Sequence, residues 1–226
     1  MVVNNYFVVV CLFSAGNARF TVLTSRVIRI EYARNEDGTF EDRATLAILN
    51  RKTETPNFHV TKQGRSVIID TDYLRLNYTQ PGADDAFRGF SPENLVITNS
   101  VPGKERVYRN VPQFTWRFGD VDSGNLFGTV RTLDDLQDVS LNCSTLAGFK
   151  IHNESMHCEY GLISRMGWSV YNDSSSPVLD DDDWPVNELS KDSVDLYFFG
   201  HGWDFRQALK DYTLIGGKVP MLPRYE

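Results

Sequence analysis

Short runs of β-branched and aromatic residues, separated by turn-forming residues, recur along most of the chain. The run 27–33 alternates, with Val27, Arg29 and Glu31 on one side and three large apolar residues on the other. This alternation predicts a half-buried strand, because successive side chains of a strand point to opposite faces. Runs spaced about ten residues apart are typical of a sandwich or barrel. The strand predictions cover Tyr6–Phe13, Ala18–Leu23, Val27–Ala33, Phe58–Thr61, Val67–Asp70, Tyr73–Tyr78, Leu95–Thr98, Leu162–Ile163, Trp168–Tyr171 and Asp195–Phe199.

One helix is predicted near the C-terminus. Asp204 is a good N-cap, and Gln207 three positions later completes a capping box. Apolar residues at helical spacing predict one buried stripe, and the pair Gly216-Gly217 ends the helix. An extended, proline-punctuated segment follows, so the sequence is interpreted as the front part of a longer protein. The buried stripe predicted for this helix consists of Phe205, Ala208, Leu209 and Tyr212.

Composition and charge narrow the class of protein. The chain has 226 residues, of which 41% are hydrophobic, and this is enough apolar material for a folded core. Its net charge of −7 argues against nucleic-acid binding, which needs a basic surface. No apolar run approaches the ~20 residues that span a bilayer, so we expect no membrane partner.

Neither the cysteines nor the N-terminal segment determines the cellular compartment of the protein. Cys11, Cys143 and Cys158 are too few for a disulfide scaffold, although the last two would close a short loop in an oxidising compartment. The apolar run 8–13 imitates a signal peptide but lacks preceding basic residues, so a strand is the better interpretation. A cytoplasmic location is slightly favoured. The glycosylation sequons, used only in a secretory setting, are at Asn77, Asn142, Asn153 and Asn172.

No local motif predicts catalysis, a metal or a cofactor. The four consecutive aspartates 180–183 repel one another and predict a solvated loop, with contact to a sugar or to a calcium ion as alternatives. His152, His157 and Cys158 fit no zinc spacing. Phosphate-binding glycine motifs and the nucleophile-elbow motif are absent, so we expect no cofactor and no metal.

Several collinear segments are similar to the N-terminal region of glycoside hydrolase family 31, which contains α-glucosidases and α-xylosidases. Asn125–Asp134 resembles the family's NLxGTxRTLD segment, and Gly161–Trp168 resembles GLLSRDGW. Two departures are Met166 in place of an aspartate and a long polar insertion at 141–159. The other similar segments are Arg19–Tyr32, Phe40–Thr45, Asn50-Arg51, Asn172–Ser174 and Asp195–Tyr225.

The resemblance implies a mainly β, galactose-mutarotase-like sandwich with one C-terminal helix leading toward a (β/α)₈ barrel. It implies a sandwich over residues 1–200 and a helix with linker over 201–226. A barrel of ~250 residues would carry the carboxylates of retaining hydrolysis of terminal α-glycosidic bonds, so we expect this chain alone to be inactive. The implied partner is an α-linked glycan, bound through the missing barrel.

In this family, a loop of the sandwich shapes the substrate entrance of the barrel. Tryptophan stacks on sugar rings, and charged side chains bind hydroxyl groups. For Trp168 the alternative to a substrate contact is a buried position in the core of the sandwich, because tryptophan side chains are usually buried. Burial of its indole would favour that alternative. The substrate-edge candidates are Arg165, Trp168, Asp173 and Trp184.

Two further classes of protein remain as alternatives. A stand-alone module that binds carbohydrate or protein would present a polar surface, whereas a piece of a larger enzyme would expose an apolar one. A mutarotase would need a histidine acid facing a glutamate base, and no such pair is evident in the sequence.

Overall fold

The computed structural model describes residues 12–34, 38–54, 56–82, 89–99, 112–129, 149–151, 154–156, 158–186 and 193–218. Within these residues the chain is mainly β, with antiparallel strands and one helix, α1, over Phe205–Gly216. The strands are β1 Leu12–Ala15, β2 Ala18–Thr24, β3 Val27–Tyr32, β4 Phe58–Gln63, β5 Ser66–Thr71, β6 Arg75–Thr79, β7 Leu95–Thr98, β8 Thr115–Arg117, β9 Gly128–Thr129, β10 Phe149–Ile151, β11 Glu154–Met156, β12 Cys158–Glu159, β13 Ser169–Asn172, β14 Val178–Leu179, β15 Pro185–Val186 and β16 Val194–Phe199.

Two five-stranded sheets form the sandwich. The first sheet has the order β1-β2-β3-β16-β13, and the second runs in chain order from β4 to β8. Large side chains of the facing surfaces interlock between the sheets: the rings of Phe20 and Tyr78 lie 5.1 Å apart, as do those of Trp116 and Phe198. These contacts confirm the predicted mainly β fold. No helix of the described residues is long and apolar enough to cross a membrane.

The strand predictions from Ala18 onward hold with shifts of one or two residues at their ends, except that the predicted strand Leu162–Ile163 is wrong, because these residues lie in the loop between β12 and β13. The predicted half-buried character of β3 is wrong, because all six of its residues are buried. Its polar side is covered by other parts of the chain, which the alternation of residue types does not reveal. The part of the first predicted strand before Leu12 lies outside the described residues.

Helix α1 begins where the sequence predicts. The carboxylate of Asp204 accepts a hydrogen bond from the backbone N–H of Gln207. The predicted capping box is only half formed, since the Gln207 side chain donates to Asp211 and not back to the cap. Leu209 is exposed, and the buried side of the helix carries Asp211 and Ile215 instead, together with Ala208.

The outer face of the first sheet, which points away from the second sheet, is divided into two halves. Its charged half consists of Arg19, Arg29, Glu31 and Asp195. Its apolar half consists of Leu23, Val27, Tyr197 and Phe199, and α1 covers this half with Tyr212 and Ile215. The segment 39–51 contributes the cover of the charged half, through contacts described below.

Candidate functional site

The charged half begins with a cross-strand pair. Arg19 on β2 lies opposite Glu31 on β3, and its guanidinium makes two bonds of 2.7 and 2.6 Å to that carboxylate. The same guanidinium bonds Asp42 of the covering segment at 2.5 Å. Bidentate pairing of this kind is among the stronger hydrogen-bonded arrangements of ionised groups.

Arg29 connects that pair to the far strand. It donates two hydrogen bonds, of 2.9 and 2.7 Å, to the carboxylate of Asp195 on β16, and lies 2.9 Å from Glu31. It also donates to the backbone oxygen of Glu41 in the covering segment. Arg29 therefore contacts two carboxylates and a carbonyl group while being almost fully buried.

Asp173 and Arg51 complete the network. Arg51 donates to Asp173 at 3.0 Å and to the Glu41 backbone oxygen at 2.7 Å. The Thr45 hydroxyl lies 3.0 and 3.1 Å from the two oxygens of the Asp173 carboxylate. The three buried arginines of the network thus face three buried carboxylates, those of Glu31, Asp173 and Asp195.

Burial and pairing shift the pKa values in this network in opposite directions. Burial raises the pKa of Glu31 and of Asp173 above the usual carboxyl range, against the lowering effect of their hydrogen bonds. For Arg29, burial is the largest single effect and lowers the pKa, but the hydrogen bonds to Asp195 and the negative charges of Asp195 and Glu31 together outweigh it, so the pKa is raised. The network is therefore a matched set of charges that fastens the covering segment to the sheet.

A second cluster joins two chain segments at one end of the sandwich. The Asn125 side chain donates to Asp122 and to the backbone oxygen of Gly161, and accepts from the backbone N–H groups of Gly161 and Phe127. The Ser164 hydroxyl donates to Asp122 at 2.6 Å. We call these residues the turn cluster. It fixes the loop 122–127 against the loop 161–164.

The turn cluster supports an aromatic pair at the surface. Phe127 has a φ of +52°, a left-handed conformation that costs a non-glycine residue about 1–3 kcal/mol. The bond from its N–H to Asn125 holds this conformation. Its ring lies 5.5 Å from the ring of Tyr160 at an angle of 32°. The cluster thus presents Tyr160 in a fixed orientation, with 46% of the residue exposed.

A cleft of about 170 Å³ lies beside this pair. Tyr160, Trp168 and the exposed Val121 contribute its apolar surface, while Asp120 and Asp122 are the acidic residues of its lining. We call it the turn-side cleft. Aromatic walls with a few polar groups are the usual composition of a small-molecule site.

Arg165 and Trp168 lie at this end of the sandwich but differ in exposure. Arg165 is exposed, and its backbone oxygen accepts a hydrogen bond from the exposed Trp203 indole. Trp168 is only 5% exposed and packs against the Trp116 and Phe198 rings, so most of its surface belongs to the core. It also lines the turn-side cleft, where a ligand could contact it.

Asp173 and Trp184 lie beyond the other end of β13. Asp173 is 2% exposed and belongs to the buried ion network. Trp184 is 71% exposed in the hairpin of β14 and β15, where Val178 bridges to Thr45 of the covering segment. The four candidates thus form two pairs at opposite ends of one strand, and the substrate-edge assignment stays a prediction for each.

The aspartates 180–183 form a turn with internal hydrogen bonds. The Asp180 carboxylate accepts from the backbone N–H groups of Asp182 and Trp184. Three or more His, Cys, Asp or Glu side chains suited to a metal do not gather anywhere among the described residues. His152 and His157 lie outside those residues, as does Cys143.

One buried histidine was absent from the sequence-based candidates. His201, just after β16, lies 2.9 Å from the carboxylate of Asp211 on α1, which also accepts bonds from Thr24 and Gln207. Burial would raise the pKa of Asp211, but these three hydrogen bonds outweigh it and lower the pKa. Asp211 therefore fastens the helix to the edge of the apolar half.

The buried arginines of the network were missed as well. A usable signal was present in the sequence: Arg19 and Arg29 alternate with large apolar residues in runs that are otherwise strongly hydrophobic. Charged residues on a strand usually indicate that their face of the strand is exposed to solvent, unless other segments of the chain supply partners for the charges. The partners here lie up to 166 positions away in sequence, beyond the reach of local pattern analysis.

Comparisons with known proteins yield fold similarity only. No protein-family model and no curated protein matches the chain. Two solved structures of the Flavobacterium johnsoniae GH31 dextranase are similar, one a mutant complexed with isomaltotriose and the other complexed with glucose. Their TM-scores are 0.48 and 0.45, and each is 16% identical to this chain. Each match covers 95% of this chain but only 28% of the dextranase, and carries no functional assignment.

Proposed function

We propose that this chain is the N-terminal β-sandwich region of a glycoside hydrolase family 31 enzyme. The parent enzyme would hydrolyse terminal α-glycosidic bonds with retention, as α-glucosidases and α-xylosidases do. In it, the sandwich supports a catalytic barrel and shapes the substrate entrance. The catalytic carboxylates belong to the barrel, so this chain alone is inactive.

The convergence of the family-like segments carries the proposal. The buried ion network takes Arg29 from the first segment, Asp42 and Thr45 from the second, and Arg51 from the third. Glu31 also comes from the first segment, and the carboxylates of Asp173 and Asp195 come from the last two segments, 172–174 and 195–225. Segments that resemble one family in sequence therefore share one buried structure, as expected if the resemblance reflects a common fold.

The surface around the turn cluster supports a place within a larger enzyme. Exposed large apolar residues come from three loops near this cluster, and the Met166 sulfur lies 4.0 Å from the hydroxyl of Ser123, the neighbour of Asp122 in the chain. A surface of this kind favours docking against another domain over free exposure to water. The exposed residues of this surface that line neither cleft are Leu126, Met166 and Trp203.

A stand-alone binding module is the second candidate function. The exposed aromatic side chains of Trp184 and Tyr160 favour it, since such side chains bind sugar rings and protein partners. This module would work without a barrel, and its native product would have the length of the present chain.

The mass of the native product distinguishes the two candidates. An antibody raised against the recombinant chain is used to probe an extract of the native source, with the recombinant 226-residue chain run alongside as a size marker. The enzyme proposal expects a band larger by at least the ~250 residues of a barrel. A single band at the position of the marker would contradict it and favour the module.

A further inference from the structure

A second cleft adjoins the turn-side cleft at Tyr160 and Val170. It measures about 190 Å³ and runs between β13 and α1, where Tyr171 and Tyr212 form its walls. We call it the helix-side cleft. Its volume is close to that of the turn-side cleft, and Tyr160 is the more exposed of the two residues that the clefts share.

The position of β13 explains why the clefts lie on both sides of one strand. β13 is the last strand of the first sheet, and its side chains alternate between the two faces. Trp168, just before the strand, and Val170 face the core between the sheets. Tyr171 faces the other side, where α1 packs. A ligand that crosses this edge therefore meets one cleft on each side.

Tyr160 is built to keep its place where the clefts adjoin. Its ring packs on Phe127, whose left-handed backbone is held by the Asn125 side chain. The aromatic surface is therefore oriented before any ligand arrives, which lowers the entropic cost of binding.

The size and chemistry of the clefts select the ligand class. Both are smaller than the ~300–1,000 Å³ of pockets for drug-sized molecules, so each fits a single ring. Among the described residues, no lysine or arginine lines either cleft, while Asp120 and Asp122 line one of them. Carboxylates without a cation disfavour an anionic ligand. Tyrosine rings suit a ligand with apolar faces, and hydroxyl and carboxylate oxygens suit its hydroxyl groups.

We propose that the two clefts form a non-catalytic site for a neutral hexose oligosaccharide, with consecutive sugar rings in the two clefts that adjoin at Tyr160. Two adjoining clefts of similar volume match a polymer of repeated rings. The inference goes beyond the proposed function, because it needs neither a barrel nor catalytic carboxylates. The native mass tests that function, and sugar binding by the chain tests this one.

Calorimetric titration of the 226-residue chain with glucose, maltotriose and isomaltotriose tests the site. We expect at least one trisaccharide to bind about tenfold more tightly than glucose, because a second ring adds contacts worth about 1.4 kcal/mol. Tyr160→Ala should remove this advantage, and Tyr160→Phe should keep most of it. Leu209→Ala, a change at a comparably exposed residue of α1 that lines neither cleft, is the matched control and should leave binding unchanged.

A second variant tests the site in case Tyr160→Ala fails to fold. Val121→Arg places a long side chain in the turn-side cleft from a position that is 72% exposed, so the fold should tolerate it. It should reduce trisaccharide affinity to that of glucose. Absence of binding by either trisaccharide, equal affinities for glucose and both trisaccharides, or trisaccharide binding that neither variant weakens would overturn the proposal. So would tighter binding of a lysine-rich peptide at Tyr160, since the acidic cleft would then serve a cation.

Discussion

On the outer face of the first sheet, strands β2, β3 and β16 carry both the charged half and the apolar half, side by side. The apolar half is covered by one helix that packs Ile215 and Tyr212 against it. The charged half is covered by partners from separate segments, among them Asp42 and Arg51. Apolar contacts accept any side chain of suitable shape, whereas each buried charge requires a specific partner.

The two halves therefore contribute differently to the fold: the apolar half contributes stability, and the charged half contributes specificity of chain position. Apolar burial is the general source of stability. A buried ion pair adds little net stability, because desolvation offsets most of the attraction, but removing one member is strongly destabilising. We therefore expect the charged half to fix the course of the segment 39–51, and the apolar half to tolerate conservative changes.

The largest expected effect comes from leaving the charged half unpaired. Arg29→Met removes the guanidinium that faces Asp195 and Glu31, and both carboxylates then stay buried with a partner missing. We expect the free energy of unfolding to fall by about 3–5 kcal/mol, measured by chemical denaturation.

Arg75→Met is the matched control for that change. Arg75 pairs with Asp70 on the second sheet, but both side chains keep substantial contact with water. The control should cost about 0–1 kcal/mol. Similar losses for the two variants would show that the charged half behaves as an ordinary surface network.

The halves should also respond to pH in opposite directions. Burial raises the pKa of Glu31 in the charged half above its ordinary 4.5. Its contribution to stability is therefore fully present below pH 4.5 and is lost as pH rises through the raised value. Hydrogen bonds outweigh burial and lower the pKa of Asp211, beside the apolar half, below its ordinary 3.8. That contribution is present above pH 3.8 and is lost as pH falls through the lowered value.

Denaturation of the wild type, Glu31→Gln and Asp211→Asn at a series of pH values from about 3 to 7 separates these contributions. The stability of the wild type relative to Glu31→Gln should decline above pH 4.5. Relative to Asp211→Asn it should rise up to pH 3.8 and then level off. Parallel curves for the two variants would contradict the contrast between the halves.

The smallest expected change in stability is at the exposed hairpin beside the charged half. Trp184→Ala should alter the free energy of unfolding by less than about 0.5 kcal/mol, because the side chain is largely in water. If the proposed parent enzyme is correct, the same change in that enzyme should raise KM by roughly 2- to 10-fold, the effect of losing one aromatic contact, with kcat unchanged.

Leu209→Ala is a suitable control for the Trp184 kinetics. Leu209 is an exposed apolar residue on α1, and it makes no part of either proposed sugar contact. Its KM should equal that of the wild type. An unchanged KM in Trp184→Ala would remove this residue from the substrate edge.

Local pattern predicted the sandwich strands and the helix well. The period of two in 27–33 and the capping residue Asp204 depend on neighbours within a few positions, and both appear in the structure. The cover of the polar side of β3 depends on Asp195 and Arg51, which lie far along the chain. Residue alternation predicts which side chains share a face of the strand, but it does not predict which other segments pack on that face.

The candidate site was harder to predict for the same reason. The sequence indicated Trp168 and Asp173 by residue type, but their burial follows from packing against Trp116 and pairing with Arg51. Tyr160 was missed, because its exposure depends on a turn cluster whose members, such as Asn125 and Gly161, are 36 positions apart.

The place of β16 in the first sheet has a consequence for synthesis on the ribosome. The second sheet is a meander of neighbours in sequence and can pair as it emerges. In the first sheet, β16 lies between β3 and β13, although it follows both in the chain. In a nascent chain that ends before residue 194, β3 and β13 therefore both lack the strand that pairs with them, and Arg29 lacks its partner Asp195. Closure of the sandwich is thus a late event in translation, and stalling before β16 would leave a chain exposed to chaperones and proteases.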